Sequence, residues 1–369
     1  MPRHREPVTT DGTIAVANLH AQILGLAALA YPAGSGQAAA RPAVARRALL
    51  IDLLTLRGEV LSRIADYERA AELAERLVRD APDDATAWLA QARTHATFHR
   101  FTEALADLET ASLSGLDRAT LDEERVPILQ AVGSYWHALV LCENAAKRRA
   151  GFITLGALAA LQAKRGEVTG AERLFDEARR CYRDVSPFPI ATLDYRRGLM
   201  WLAEGNLPAA RSWFTAAQHR VPAYAPALGH LAQVDASTGA YQAAIGRLRP
   251  LASSSDDPAY MASLARVLGA AGHRREGRLW RDRAAARHAE LVLRHPKAFA
   301  HHAADFRPSA AWPSARLAEV SPGACDAGLF TARACHGRPR ELDSQGIRRR
   351  PVRYLWQVSS GAAGEQRSR

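Results

Sequence analysis

The sequence predicts an all-α protein built of stacked helix pairs, on three observations. Hydrophobic residues make up 48% and charged residues 24% of the 369, inside the globular range, which excludes disorder of the whole chain. Aromatic residues are only 7% and alanine dominates, a mix that suits closely packed helices better than sheets. The pattern also recurs. Leu54-x-x-Arg57-Gly58-Glu59 and Ala65-Asp66-Tyr67-Glu68-Arg69-Ala70 are answered one unit later by Trp88-x-x-Gln91-Ala92, Phe101-Thr102-Glu103-Ala104 and Leu108-x-x-Ala111. A fixed period of this size marks a repeat array.

Counted from Ile51, units start at 51, 85, 119, 152, 191, 225 and 258. The one long spacing, 39 residues, contains Ser186-Pro187-Phe188-Pro189-Ile190, read as an insert between units. Position 20 of each unit is small: Ala70, Ala104, Ala138, Ala171, Ala210, Ala244 and Gly277. Position 8 (Gly58, Ala92, Val126, Ala159, Gly198, Ala232, Ala265) and position 27 (Leu77, Ala111, Ala145, Ala178, Ala217, Leu251, Ala284) follow suit. Small side chains there let helices approach closely. Larger residues at position 17 (Tyr67, Phe101, Tyr135) and position 24 (Leu108, Phe175, Phe214) fill the space between them. Gly133, Gly166, Gly205, Gly239 and Gly272 share position 15, where the first helix must stop and turn. Pro127, inside the first helix of the third unit, should shorten or kink it. Arg274 and Arg281 stand at core positions of the last unit, as on a repeat whose outer face meets less of the core.

Residues 51–291, about two-thirds of the chain, thus resemble the tetratricopeptide repeat. The resemblance implies a right-handed solenoid of seven helix-turn-helix units and a non-enzymatic scaffold for protein interaction. It also implies that positions 2, 5, 9, 12 and 13 of the first helices face a concave groove that takes a peptide segment or a partner helix. The groove residues it selects here are Glu59, Arg63, Arg93 and Thr97 at the charged end, then Lys164, Tyr195, Leu199, Leu202, Gln233 and Arg266. Tyr195 is the expected anchor, an aromatic beside two leucines and off the inter-helix core. The family's carboxylate clamp is not expected, because its Lys and Asn at positions 5 and 9 are here Thr55 and Glu59, and an acid repels a carboxylate.

Residues 1–50 form an N-terminal segment. Arg3 and Arg5 precede an apolar stretch from Ile14 to Tyr31, the order a secretory signal would need. Asn18, His20 and Gln22 interrupt it, while Leu19, Ile23, Leu26 and Ala30 keep helical spacing, so an amphipathic helix is the better reading. No run of 18 uncharged apolar residues occurs, which argues against a membrane span. Tyr31 to Gly36 is read as a loop. Its Gly34-x-Gly36 follows no strand and lacks a third glycine, so it makes no phosphate loop. Residues 292–306 read as a capping helix, with Pro296 in its first turn and Phe299, His302, Ala303 and Phe306 on its apolar side. From Arg307 the period stops mid-pattern, and residues 307–369 read as a disordered basic tail produced by a frame change.

The net charge of +11 is concentrated at the ends: +6 in residues 307–369, +3 in residues 1–50 and +2 in between. A nucleic-acid binder carries its basic stripe on the folded surface. An adaptor acting through Arg348-Arg349-Arg350 and the basic ends is therefore the alternative to a protein partner, not the first reading. Four cysteines are too few for a disulfide scaffold, and a cytoplasmic location is expected. Cys142 sits at a core position, while Cys325 and Cys335 lack the second half of a zinc site. No Gly-x-Ser-x-Gly, Gly-Lys-Ser/Thr phosphate loop or His-Glu-x-x-His occurs. His288, His295, His301 and His302 with Asp305 are the one group that could serve a metal enzyme. Pro296 interrupts it, so neither a metal nor a cofactor is expected. Asp83-Asp84 and Asp256-Asp257 lie beside prolines and read as turn and cap residues.

Overall fold

The structure, a computed structural model, describes residues 7–30 and 41–300. Residues 31–36, expected as a loop, residues 307–369, expected as a frame-changed tail, and His301, His302, Ala303, Asp305 and Phe306 lie outside the described residues. Among the described residues the regular elements are all helices, without strands. Two helices lead in: α1 (Gly12–Ala30) and α2 (Arg41–Leu61). Then α3 (Ile64–Asp80), α4 (Ala85–Thr97), α5 (Phe101–Leu113), α6 (Arg118–Ala131) and α7 (Tyr135–Arg148) follow. The middle comprises α8 (Phe152–Arg165), α9 (Val168–Cys181), α10 (Pro187–Ala203) and α11 (Leu207–Arg220). The chain continues with α12 (Ala225–Ser237), α13 (Tyr241–Ser254), α14 (Pro258–Ala270), α15 (Arg274–Arg294) and the short α16 (Pro296–Phe299). Even-numbered helices from α2 to α14 are the first of each pair.

Position 20 explains the pairing. Ala70, Ala104, Ala138, Ala171, Ala210 and Ala244 are all fully buried. The glycines at position 8 pack beneath rings: a Cβ on Gly58 would stand 2.9 Å from the Tyr67 ring, and one on Gly198 2.5 Å from Phe214. At position 15, Gly133, Gly166, Gly205, Gly239 and Gly272 all take positive φ, and His99 takes φ 57° at the same place in the second unit. The first helix of these units therefore ends in a left-handed turn, which costs glycine nothing.

Three local expectations are corrected. Ser186–Ile190 is not an insert: Ser186 precedes α10, and Pro187, Phe188, Pro189 and Ile190 form its first turn. Prolines are accepted there because first-turn N–H groups have no intrahelical partner. α2 starts at Arg41, ten residues before the repeat count begins. Pro127, expected to shorten or kink α6, does not shorten it: the helix runs on to Ala131.

The array curls until its ends meet. α2 touches α12, the first helix of the sixth pair, so first helices face each other across the concave side. Ser62 Oγ lies 2.9 Å from Tyr260 Oη, and Ser255 Oγ donates to the Ser62 carbonyl at 2.5 Å. Asp256, expected as a local turn residue, accepts from the N–H groups of Ile64 (2.5 Å) and Ala65 (2.8 Å), capping α3 from the far end of the array. Arg287 holds the same carboxylate at 3.4 Å. Asp84 and Asp257 cap their own helices, as expected. Farther along, Leu291, Ala298 and Phe299 pack with Ile64, Tyr67 and Phe98, and Arg294, His295 and Lys297 pair with Glu68 and Glu103.

α1 packs on α2 and touches α10. Of the stripe read from the sequence, Leu19 and Ile23 are buried and Leu26 is partly buried, and Ala15 extends it toward the N-terminus. Its window Gly12–Leu29 has a mean hydropathy of 1.4, and α1 is long and apolar enough to cross a membrane by length and composition. One such helix does not establish a span; its window passes because Asn18, His20 and Gln22 carry no fixed charge and Ala, Leu and Ile dominate the average.

Candidate functional site: the concave face

The first helices carry the concave face, and the structure divides it in two. At the N-terminal half, arginine and carboxylates on neighbouring first helices lock together. Arg93 on α4 donates to Asp52 on α2 at 2.9 Å and to Glu124 on α6 at 2.6 and 2.9 Å. Burial works against the Arg93 charge, yet Glu124 and Asp52 hold its pKa above the ordinary arginine value. Burial raises the Asp52 pKa in spite of Arg93. Glu124 was not picked out from the sequence because it sits one place beyond the inward position occupied by Glu123. Thr97 is buried rather than groove-lining; its hydroxyl donates to the Arg93 carbonyl at 2.8 Å. Arg63 precedes α3 and stands 3.7 Å from Asp66, which Arg57 holds in a two-pronged pair. Lys164 is exposed at the end of α8.

The second half is closed. Tyr195 is 4% exposed and sits among Phe214, Tyr224 and His230, with ring centroids 5.8, 5.6 and 5.4 Å away. It belongs to one hydrophobic cluster with Leu19 and Ile23 of α1, Leu54 and Val60 of α2, and Leu231 of α12. Leu199 and Leu202 pack against that cluster. The expected open anchor off the inter-helix core is thus a core residue. The cause is packing between neighbouring units: Phe214 of the paired α11, and Tyr224 and His230 at the next unit's first helix, enclose the ring. Gln233 leaves its buried Oε1 without a hydrogen-bond partner among the described residues. Arg266 donates to Ser263 Oγ at 3.0 Å on its own helix.

Glu59, expected to line the groove, acts instead on a polar group, Arg196 and the buried Tyr67, that the sequence spacing does not single out as a site. Burial pushes the Arg196 pKa down, opposed by the field of Glu59 and by Tyr224 and Tyr195. Burial pushes Tyr67 well up, with Glu59 adding to it. His230 is fully buried and its pKa falls to about 4 through desolvation, although Nδ1–H donates to the Pro226 carbonyl at 3.0 Å. A depression of about 380 Å³ opens elsewhere, where Thr9 to Gly12 cross the ends of α9 and α11 at Arg179, His219 and Arg220.

The histidine group does not assemble as a metal site within the described residues. His288 Nε2 faces the Phe299 carbonyl at 3.1 Å, and His295 Nε2 lies 2.9 Å from Glu68 while its ring stacks on Phe98 at 4.0 Å. Cys142 is a buried core residue.

No family model and no curated protein matches the chain. Solved structures do. A human IFIT1 dimer with PPP-AAAA matches at a TM-score of 0.52 and 15% identity, over 76% of this chain and 69% of that one. A monomeric mutant of IFIT1 with Gppp-AAAA matches at 0.51 and 13% identity, over 86% and 76%. A tetratricopeptide repeat protein from Parabacteroides merdae matches at 0.42 and 14% identity, over 66% and 92%. With its helix pairs, buried position-20 alanines and left-handed glycine turns, the chain has the tetratricopeptide-repeat fold.

Proposed function

We propose that this chain is a non-enzymatic protein-interaction scaffold whose concave face binds a helical segment of a partner. One observation carries the reading: α1 of the same chain packs through an apolar stripe against α2 and touches α10, both first helices of their units. Helix-in-groove recognition uses the same i, i+4 anchors. The ion-paired half, around Arg93, Asp52 and Glu124, would set orientation and selectivity through charge.

A nucleic-acid partner is the second reading, favoured by the two IFIT1 structures and their PPP-AAAA and Gppp-AAAA ligands. Against it, arginines of the array are engaged by carboxylates: Arg93 by Asp52 and Glu124, and Arg197 by Glu172 and Asp176. Phosphate binding through free cations would show a steep salt dependence.

A photoreactive side chain in place of Glu123, exposed on α6, should crosslink to one defined partner segment in an extract of the native host. The same group in place of the exposed Trp136 on α7 should not. Crosslinking from Trp136 alone would move the interface to the outer face, and crosslinking to RNA would favour the second reading.

A further inference from the structure

We propose that α1 is a displaceable occupant of the concave face, seated where a partner helix of the pattern Gly-x-x-Ala-x-x-x-Leu-acid-x-x-Ile binds. The inference rests on the reading of the concave face as the partner surface, and it specifies the ligand.

α1 is mostly apolar, broken on its outer side by exposed Thr13, Asn18 and Gln22, but it is buried along one stripe only. Ala15, Leu19 and Ile23 face the core, whereas Ile14, Leu24 and Leu29 are 55%, 71% and 63% exposed. A helix with that much apolar surface is ordinarily enclosed more fully. This one is docked by one face, as a ligand is.

The seat is shaped for a helix that begins with glycine. A Cβ on Gly12 would stand 2.7 Å from Val221 Cα and closer still to the Arg220 carbonyl oxygen. Both are backbone atoms at the end of α11, so neither can swing aside. Gly25, on the same helix, has open space where its Cβ would go. The small residue is thus demanded by the seat at position 12 and by nothing at position 25.

The occupant also fits imperfectly. His20 buries its Nε2 without a hydrogen-bond partner among the described residues. Burial and the nearby Arg57 and Arg63 push its pKa down, against the pull of Asp66. A buried polar atom left unmade is a standing cost. An acid at this place, one residue after the leucine, would enter the field of Arg57 and Arg63 and share them with Asp66, which already engages both. A partner helix carrying it has an advantage α1 lacks.

The test uses the full chain in three forms: wild type, Gly12→Val and Gly25→Ala. The probe is a fluorescent peptide of residues 7–30 with Leu24→Lys and Leu29→Lys for solubility, and a second peptide adds His20→Glu. Unseating the tethered helix raises the competent fraction, so Gly12→Val should bind the peptide roughly tenfold or more tightly than wild type. Gly25→Ala should match wild type, and the His20→Glu peptide should bind Gly12→Val tightest. Hydrogen exchange on Gly12→Val should show faster exchange in α1 with α2 and α10 still protected.

Equal binding by Gly12→Val and wild type overturns the proposal. So does loss of protection throughout α2 and α10, which would make α1 a structural part of the core. Partition of Gly12→Val onto phosphatidylglycerol vesicles without gain for either peptide would also overturn it and assign the exposed face to lipid. If these arms fail while Glu123 still crosslinks to a partner segment, the scaffold reading stands and only the role of α1 falls.

Discussion

Single residues at the centre of the array act through burial. Tyr195 is enclosed by Phe214, Tyr224 and His230, so Tyr195→Ala should destabilise the fold by about 3–5 kcal/mol, as truncation of a large core side chain does. Chemical denaturation checks this; an unchanged midpoint would return Tyr195 to the surface. Asp257 offers a pH test. Burial raises its pKa from 3.8 to about 7, although the carboxylate accepts from the Ala259 N–H at 2.8 Å. The folded state therefore holds a proton that the unfolded state releases. This contribution is fully present below pH 3.8 and is lost as pH rises to about 7. Asp257→Asn keeps a capping oxygen and removes the charge. It should stabilise the protein at pH 8 by at least about 1 kcal/mol and change little near pH 4. Melting temperatures of the two forms that run parallel across this range would refute the assignment.

At the scale of elements, termini do more than the helices they end. α3 starts without a side-chain cap from its own neighbour Arg63, and Asp256 supplies it from the turn before α14. Asp256→Ala should cost about 1–2 kcal/mol, the range for a lost N-cap. Hydrogen exchange should quicken at the first turn of α3 as well as beside α14. Quickening at α14 alone would mean that the cross-array cap is idle. Legibility differs between elements for the same reason. α4, α8, α12 and α14 begin at residues 85, 152, 225 and 258, where the repeat count starts a unit, because local periodicity and caps decide those starts. α10 begins earlier than the count implies, since prolines in a first turn look from sequence like a break.

For the whole molecule, closure changes how stability is distributed. In an open array each unit contacts only its neighbours, and damage stays local. Here Leu291, fully buried, packs with Ile64 and Tyr67, more than 200 residues away in sequence. Leu291→Ala should cost about 2–5 kcal/mol, and exchange should quicken in α3 while α7 and α8, on the far side of the array, change less. An effect confined to α15 would show that the ends touch without coupling.

What the sequence determined by itself is everything set by local spacing: the helices, their pairing through position-20 alanines, and the turns that glycine permits. Each follows from contacts within one unit or between successive units, and these repeat often enough to be read seven times over. What only the tertiary structure decided is which surfaces remain open. Arg93 sits near the surface as its position implies, but its partners Asp52 and Glu124 come from two other helices. Tyr195 occupies an inward position on a first helix, and sequence spacing cannot show that α1 comes to lie against α2 and α10. Nor can it show Asp256 reaching α3 across 192 residues. These contacts depend on the accumulated curvature of the array, a small rotation per unit that no single repeat encodes visibly. Helix identity is local and was legible; the concave site is a sum over the whole chain and was not.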